Sequence, residues 1–229
     1  MGSLKQQLGR YLPRYIKREL RRYRYQYLIR RGRFVSDEAE FALLDRFLGP
    51  GDIVVDVGAN VGHYTLRMAQ LVGDTGHVWA FEPIWETFDM LSSNVTHARC
   101  SHVSLFNAAV TERPAMLGFE VPSGNPYLAR AVSSGGLPVV GVSLDSVVPE
   151  GVNVSFIKVD AEGHDVSVVH SASGLIKRDR PTVMIELALE DAERVAAELD
   201  QYEAVAVHGS HNSFLVPAEK SADVRQRLQ

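Results

Sequence analysis

At 229 residues, 45% hydrophobic and 23% charged, the chain has the makeup of one well-buried α/β unit with a short appendage. No apolar run reaches the roughly 18–20 residues of a membrane-crossing helix, and the first residues lack the apolar core of a secretory leader, so a cytoplasmic location is the expectation. The single Cys100 excludes an internal disulfide and a cysteine-built metal site, and the net charge of −4 is unevenly spread: residues 1–33 hold eleven Lys and Arg against Glu19 alone, leaving 13 basic and 27 acidic residues to the remainder.

The basic arm comes first. Leu12, Ile16, Leu20, Tyr23 and Tyr27 recur at helical spacing and predict an amphipathic helix over 12–30 with those residues as its apolar face. A capped start at 36–40 leads a second helix whose apolar face is Phe41, Leu43, Leu44, Phe47 and Leu48. Short apolar strands then alternate with helices: strand 53–57, helix 62–72, strand 77–81, helix 84–97, strand 103–107. Residues 116–121 read as an extra strand, and 122–138, rich in Pro, Gly and Ser, as a mobile loop over the site, with Tyr127 and Arg130 available to an acceptor. Strand 154–159, helix 165–177, strand 181–187 and helix 190–199 follow, and strands 202–207 and 213–216 close the chain around a hairpin carrying His208 and His211. Apolar strands between helices predict a doubly wound, mostly parallel sheet ending in a hairpin; this order resembles the Rossmann-like α/β arrangement, which implies a seven-stranded sheet with an antiparallel last strand and ligands bound beyond the carboxyl ends of the strands.

The chemistry gathers at those ends. Asp56 closes the first strand, and Gly58 and Gly62 flank the turn into the next helix; glycine permits tight turns and close ligand approach. An acid in that turn, with Asn60 in place of the middle glycine of the dinucleotide pattern, suits the ammonium of a methionine moiety better than a pyrophosphate. Glu82, ending the second strand before Pro83, can accept hydrogen bonds from a ribose diol. Asn107 at the third strand end could meet an adenine edge or simply form a turn. An NAD-dependent oxidoreductase and a non-catalytic cofactor-binding protein are the competing readings; Asp56 and Asn60 argue against the first.

The stretches VVDVGANVGHYTLRMA at 54–69, WAFEPIWETFDMLSSNV at 79–95, FNAAV at 106–110 and FIKVDAEGHDVSVVHSASGLIKRDRPTVMIELA at 156–188 resemble the FkbM-type methyltransferases. The resemblance covers about residues 36–217 and implies an S-adenosylmethionine-dependent methyltransferase domain over 36–229, with 1–35 as a helical arm outside the family pattern. It implies methyl transfer to oxygen, on a sugar, glycolipid or polyketide-type hydroxyl. The expected cofactor set is Asp56, Gly58, Ala59, Asn60, Gly62, Tyr64, Glu82, Pro83, Asn107 and Asp160. Acceptor pockets in this fold are built by the variable loop and the N-terminal helix.

An alcohol is a poor nucleophile, so a base or metal should help remove its proton. Asp160, Glu162 and His164 follow the fourth strand; Asp160 could orient the acceptor, Glu162 bind it, and His164, with an imidazole suited to neutral pH, serve as general base, while each could equally serve the following helix as cap or charge. Glu186, ending a strongly apolar strand, could join Asp160 in a magnesium site or pair with a basic side chain. His63 reads as structural. The arm could pack on the body or on a second subunit, or lie on an anionic membrane surface beside a lipid-linked glycan; nucleic acid is the least favoured partner.

Overall fold

The structure, a computed structural model, describes residues 12–122, 129–132 and 135–228. Its main sheet is built from β1 (Ile53–Val57), β2 (His77–Phe81), β3 (Val103–Phe106), β8 (Val154–Val159), β9 (Thr182–Ile185), β10 (Tyr202–Ala206) and β11 (Ser213–Pro217). The seven strands lie in the order β10-β11-β9-β8-β1-β2-β3. All neighbours pair in parallel except β11, which runs antiparallel to both β9 and β10, as the sequence pattern predicts. The strand order reverses between β1 and β8, from which later strands are added outward to either side, and this opens a crevice at their carboxyl ends, where this topology places ligands.

Alternation along β1 divides the core. Val55 and Val57 face one buried cluster with Ile157, Val159, Val168 and Leu175. Val54 faces the other, with Tyr64, Met68, Phe156 and Phe214. Side chains two apart share a face, so Asp56 sits on the Val54 side and Lys158 and Asp160 on the Phe156 side, which are one and the same. Asp56 and Lys158 are register partners across β1 and β8. A charged pair is thereby built into the floor of the crevice.

Helices cover both faces: α1 (Arg14–Arg30), α2 (Leu44–Phe47), α3 (His63–Val72), α4 (Trp85–Ala98), α5 (Leu144–Val147), α6 (Asp165–Ser171), α7 (Ser173–Asp179), α8 (Leu189–Glu198) and α9 (Ser221–Arg227). Several differ from the sequence expectation. The helix over 36–48 is a 3-10 turn, Ala39–Leu43, continued by α2. The helix over 165–177 is two helices meeting at Ala172, where the Ser171 hydroxyl donates to the Val168 carbonyl and the Asp145 carboxylate accepts from the Gly174 and Leu175 amides. The C-terminal α9 was not expected at all.

A second sheet, β4 (Ala109–Val110), β5 (Ala115–Glu120), β6 (Arg130–Val132) and β7 (Leu137–Val142) in the order β4-β7-β5-β6, lies over the crevice. Only β5 was expected. The span 122–138, read as loop, contains β6 and runs into β7; Pro138, Gly135 and Gly136 hide a strand whose Val139 and Gly141 point inward. Tyr127 lies outside the described residues. Arg130 is in β6 and meets Glu120 across the β5–β6 pair at 3.1 Å, so it faces its neighbouring strand.

The arm is helical as predicted, but its phase is not. Tyr25, Leu28 and Ile29 are the residues packed on the body, with Phe34, Leu66 and Leu91, and Arg22 Nη2 donates to Asp89 of α4 at 2.7 Å. Leu20, Tyr23 and Tyr27, part of the expected apolar face, are exposed.

Candidate active site

The glycine turn folds back on the end of β2. The Gly58 and Ala59 amides both donate to the Phe81 carbonyl, at 3.0 and 2.9 Å, and the Asn60 amide donates to Glu82 Oε2 at 2.9 Å. Gly58 has φ +76°, and a Cβ there would stand 1.8 Å from the Asp160 carbonyl oxygen, so β8 as well as ligand access demands glycine. Gly62 (φ +96°) opens α3, and a Cβ would meet the Leu91 side chain at 2.7 Å.

Asp56 stands inside β1 with its side chain under α3, and not in the turn where the sequence reading put it. It is fully buried; Thr65 Oγ1 donates to its Oδ2 at 2.6 Å and Lys158 Nζ lies 3.7 Å from its Oδ1. Burial raises its carboxyl above the ordinary range, against the pull of Lys158 and Thr65. Asp56 lines neither cavity described below, so its partner is the protein's own ammonium. Lys158 is the feature that sequence reasoning missed. Its ammonium is 3.0 Å from Asp160 Oδ2, 3.5 Å from the Gly58 carbonyl and 4.9 Å from the centre of the Tyr64 ring. Burial alone would lower its pKa; the charges of Asp160 and Asp56 outweigh that and raise it. The signal was a lone lysine in an apolar strand, but its partner became visible only through the β1–β8 register.

Two cavities flank the turn. The first, about 770 Å³ out to its mouth, has Glu82 and Gly58 at its base and Ile84, Ala109, Leu117 and Phe119 as apolar walls. Pro83, Asn60, Asp160, Glu162 and His164 also line it. Glu82 is 6% exposed, and its Oε1 accepts from the Ile84 amide and the Thr87 hydroxyl at 2.8 and 2.7 Å. Burial raises its carboxyl and these donors oppose the rise. A carboxylate anchored by three donors retains acceptor capacity toward the cavity. Asn107 turns its amide onto the Glu82 and Pro83 carbonyls at 2.9 and 3.0 Å, the turn-forming option.

The second cavity, about 500 Å³, is bounded by Tyr25 from the arm, Ser36 and Glu38, with Ala59, His63, Tyr64 and Lys158 opposite. Tyr64 donates to Glu38 at 2.5 Å. His63 stacks on Phe34 at 4.1 Å, the structural role expected of it. Gly58, Asn60 and Asp160 line both cavities, so they stand where the two meet.

Asp160 and Glu186 share a hydrogen bond. Burial would raise Asp160, but Lys158 and the two hydrogen bonds outweigh it and hold the carboxyl below its ordinary value. Partial burial, then the bond to Asp160 and the charges of Asp160, Asp165 and Glu162, push Glu186 up from 4.5 to about 8. At neutral pH the pair therefore holds one proton, on Glu186. This donor set does not fit magnesium. The Asp160 carboxylate is already answered by Lys158 and Glu186, and among the described residues no group of three His, Cys, Asp or Glu gathers. Glu162, at φ +49°, and His164 are exposed on the rim of the first cavity, and among the described residues none hydrogen-bonds the His164 ring. His208 and His211 sit on the ligand-side hairpin but line neither cavity.

The sheet order, the antiparallel β11 and a crevice at the β1–β8 switch define the Rossmann-like methyltransferase class. The Methyltransferase FkbM domain matches residues 56–219, and the chain belongs to that family of S-adenosylmethionine-dependent enzymes. It is 30% identical to a protein-L-isoaspartate O-methyltransferase of Methanothrix thermoacetophila over 58% of this chain and 62% of that protein. It is 26% identical to the hexuronic acid methyltransferase AglP of Haloferax volcanii over 55% of this chain and 52% of that protein. The chain thus spans only about half to three-fifths of the length of these curated relatives. A methyltransferase FkbM from Methylobacillus flagellatus superposes with a TM-score of 0.55 at 15% identity, covering 83% of this chain and 57% of that one. A SAM-dependent methyltransferase from Aquifex aeolicus gives 0.51 at 14%, covering 79% and 90%. At these identities the structural likeness speaks for the fold alone.

Proposed function

We propose that this chain is an O-methyltransferase whose acceptor is a neutral hydroxyl of a sugar-type molecule. The observation that carries the reading is the Asp160–Glu186 carboxyl pair beside the junction of the two cavities. An acceptor carboxylate needs no base and would be repelled by Asp160, Glu162 and Glu186; a hydroxyl needs a base and tolerates that charge. The similarity to a hexuronic acid methyltransferase favours a sugar.

In this reading the first cavity takes the adenosine part of the cofactor, its base between Ile84, Ala109 and Phe119 and its ribose diol on Glu82. The Glu82–Asn60 bond couples that contact to the turn. When bound, S-adenosylmethionine supplies an electrophilic methyl on a sulfonium. The acceptor enters by the second cavity, past Tyr25 and Glu38. Asp160 would accept the proton of the acceptor hydroxyl as that oxygen takes up the methyl, and Glu186, exposed on its outer side, would pass one proton to water. Lys158 fixes the Asp160 rotamer. Holding both reactants in line contributes several kcal/mol in such displacements. His164 and Glu162 stand at the rim of the first cavity, on the side assigned to the cofactor.

The pH profile tests the base. Below about 8 Glu186 carries its proton; above it, a second negative charge beside Asp160 makes Asp160 a stronger base, so kcat should rise as pH passes about 8. Asp160→Asn should lower kcat by about 10²–10⁴-fold. Glu186→Gln, which retains a hydrogen bond but cannot ionise, should remove the rise near pH 8. A Glu186→Gln enzyme with the wild-type profile, or an active Asp160→Asn enzyme, refutes the pair as base.

A further inference from the structure

The arm leaves an apolar stripe on the outside of the molecule. At about 100° per residue, Ile16, Leu20, Tyr23 and Tyr27 fall within about 60° of one another on α1. The residues that hold α1 to the body, Arg22, Tyr25 and Ile29, lie on the opposite side. Leu20, Tyr23 and Tyr27 are 55%, 69% and 55% exposed, and Ile16 is partly exposed at the end of the row. The Arg22–Asp89 and Arg30–His97 contacts share one sequence offset, so α1 runs parallel to α4 and Arg18 stands level with Trp85, itself 60% exposed. Arg24 and Arg31 border one edge of the stripe and Arg30 the other, and Arg31 lies over the Tyr27 ring at 5.6 Å. The charge of this segment, eleven basic residues against one acid, opposes that of the acidic body.

From this arrangement we infer that α1 docks the protein flat on an anionic phospholipid surface. The aliphatic and tyrosine side chains enter the headgroup region and the flanking arginines meet lipid phosphates. An interfacial helix needs an apolar face, a cationic border and low overall hydrophobicity, and α1 has all three. A nucleic-acid groove would put the arginines at the centre of the contact; here aromatic and aliphatic side chains occupy the centre and arginines the edge. No helix of the described residues is long and apolar enough to cross a membrane, so contact through α1 would be peripheral. The inference is independent of the acceptor, and it carries a geometric corollary. Tyr25 lines the second cavity from the inner face of the same helix whose outer face meets lipid, so an acceptor on a lipid carrier would reach Asp160 from the membrane side.

Flotation of the full chain with phosphatidylcholine vesicles, with and without phosphatidylglycerol, tests the inference. Binding is expected on the anionic vesicles alone and should fall with salt. Leu20→Ser/Tyr23→Ser/Tyr27→Ser should weaken it by about a hundredfold through the loss of apolar burial. Arg24→Gln/Arg31→Gln should weaken it by about fivefold per arginine. These residues are exposed and outside both cavities, so affinity for S-adenosylhomocysteine should stay at the wild-type value in both variants; if the triple variant fails to fold, the arginine variant decides. Wild-type protein that stays off anionic vesicles overturns the inference, as does vesicle binding that both variants retain. Arm-dependent binding of RNA, or a dimer that the triple variant dissociates, overturns it when either occurs without vesicle binding.

Discussion

Glu82 receives the Asn60 and Ile84 amides and the Thr87 hydroxyl, so one carboxylate fixes the glycine turn and also lines the first cavity. Replacing it removes a charged hydrogen-bond acceptor and loosens the turn. Glu82→Ala should weaken S-adenosylhomocysteine binding by about 10- to 100-fold, the loss of roughly 1.5–3 kcal/mol. Calorimetry checks this, and unchanged affinity would remove Glu82 from the cofactor site. Glu82 was legible in the sequence because an acid before a proline at a strand end has few other uses. Asp56 was misplaced because a sequence does not say whether the last polar residue of a strand belongs to the strand or the turn; one residue of difference turns its side chain to the opposite side of the sheet. Glu186 was singled out as a charge closing an apolar strand, but Asp160 was named beside it only as a fellow magnesium ligand, with a basic side chain as the other option. What could not be read was the shared proton, which depends on the spacing of two carboxyls from neighbouring strands.

At the scale of elements, β1 and β8 make the crevice floor together, and Lys158 joins them. Its ammonium answers Asp56 and Asp160 on adjacent chain segments and touches the Gly58 carbonyl, so it links sheet, turn and the Asp160–Glu186 pair. Lys158→Met keeps the length and removes the charge, leaving Asp56 buried without its counter-ion. Breaking a buried pair this way costs about 3–5 kcal/mol, which lowers Tm by on the order of 10 °C in a chain of this size. A thermal melt within 2–3 °C of wild type would show that Asp56 is held neutral by its raised pKa and needs no cation. The elements themselves were read well wherever a strand or helix has one clean period, as for β1, β2, α3 and β8. The second sheet was not, because Pro138 and the surrounding glycines carry loop signals while the pairing with β5 comes from far along the chain. The arm shows the opposite failure. Its helical period was correct, but the apolar face it predicted points away from the body, since Tyr25, Leu28 and Ile29 pack better against Phe34 and α4.

At the scale of the molecule, the fold is a parallel sheet with a second sheet over its crevice and a basic helix beside it. The first cavity is lined by the second sheet and the second is bounded by the arm, so in the proposed reading cofactor and acceptor are held by different parts of the chain. Tyr25, Ser36 and Glu38, which bound the second cavity, were not named from the sequence because they are ordinary surface residues until α1 is docked. In the proposed reading the acidic surround of Asp160 favours a neutral hydroxyl over a carboxylate. The most direct measurement is to incubate the protein with labelled S-adenosylmethionine and a panel of sugars that includes hexuronic acids, and to treat the methylated product with mild alkali. The account predicts an alkali-stable methyl ether on a sugar hydroxyl; an alkali-labile methyl ester, or no transfer to any sugar, would contradict it.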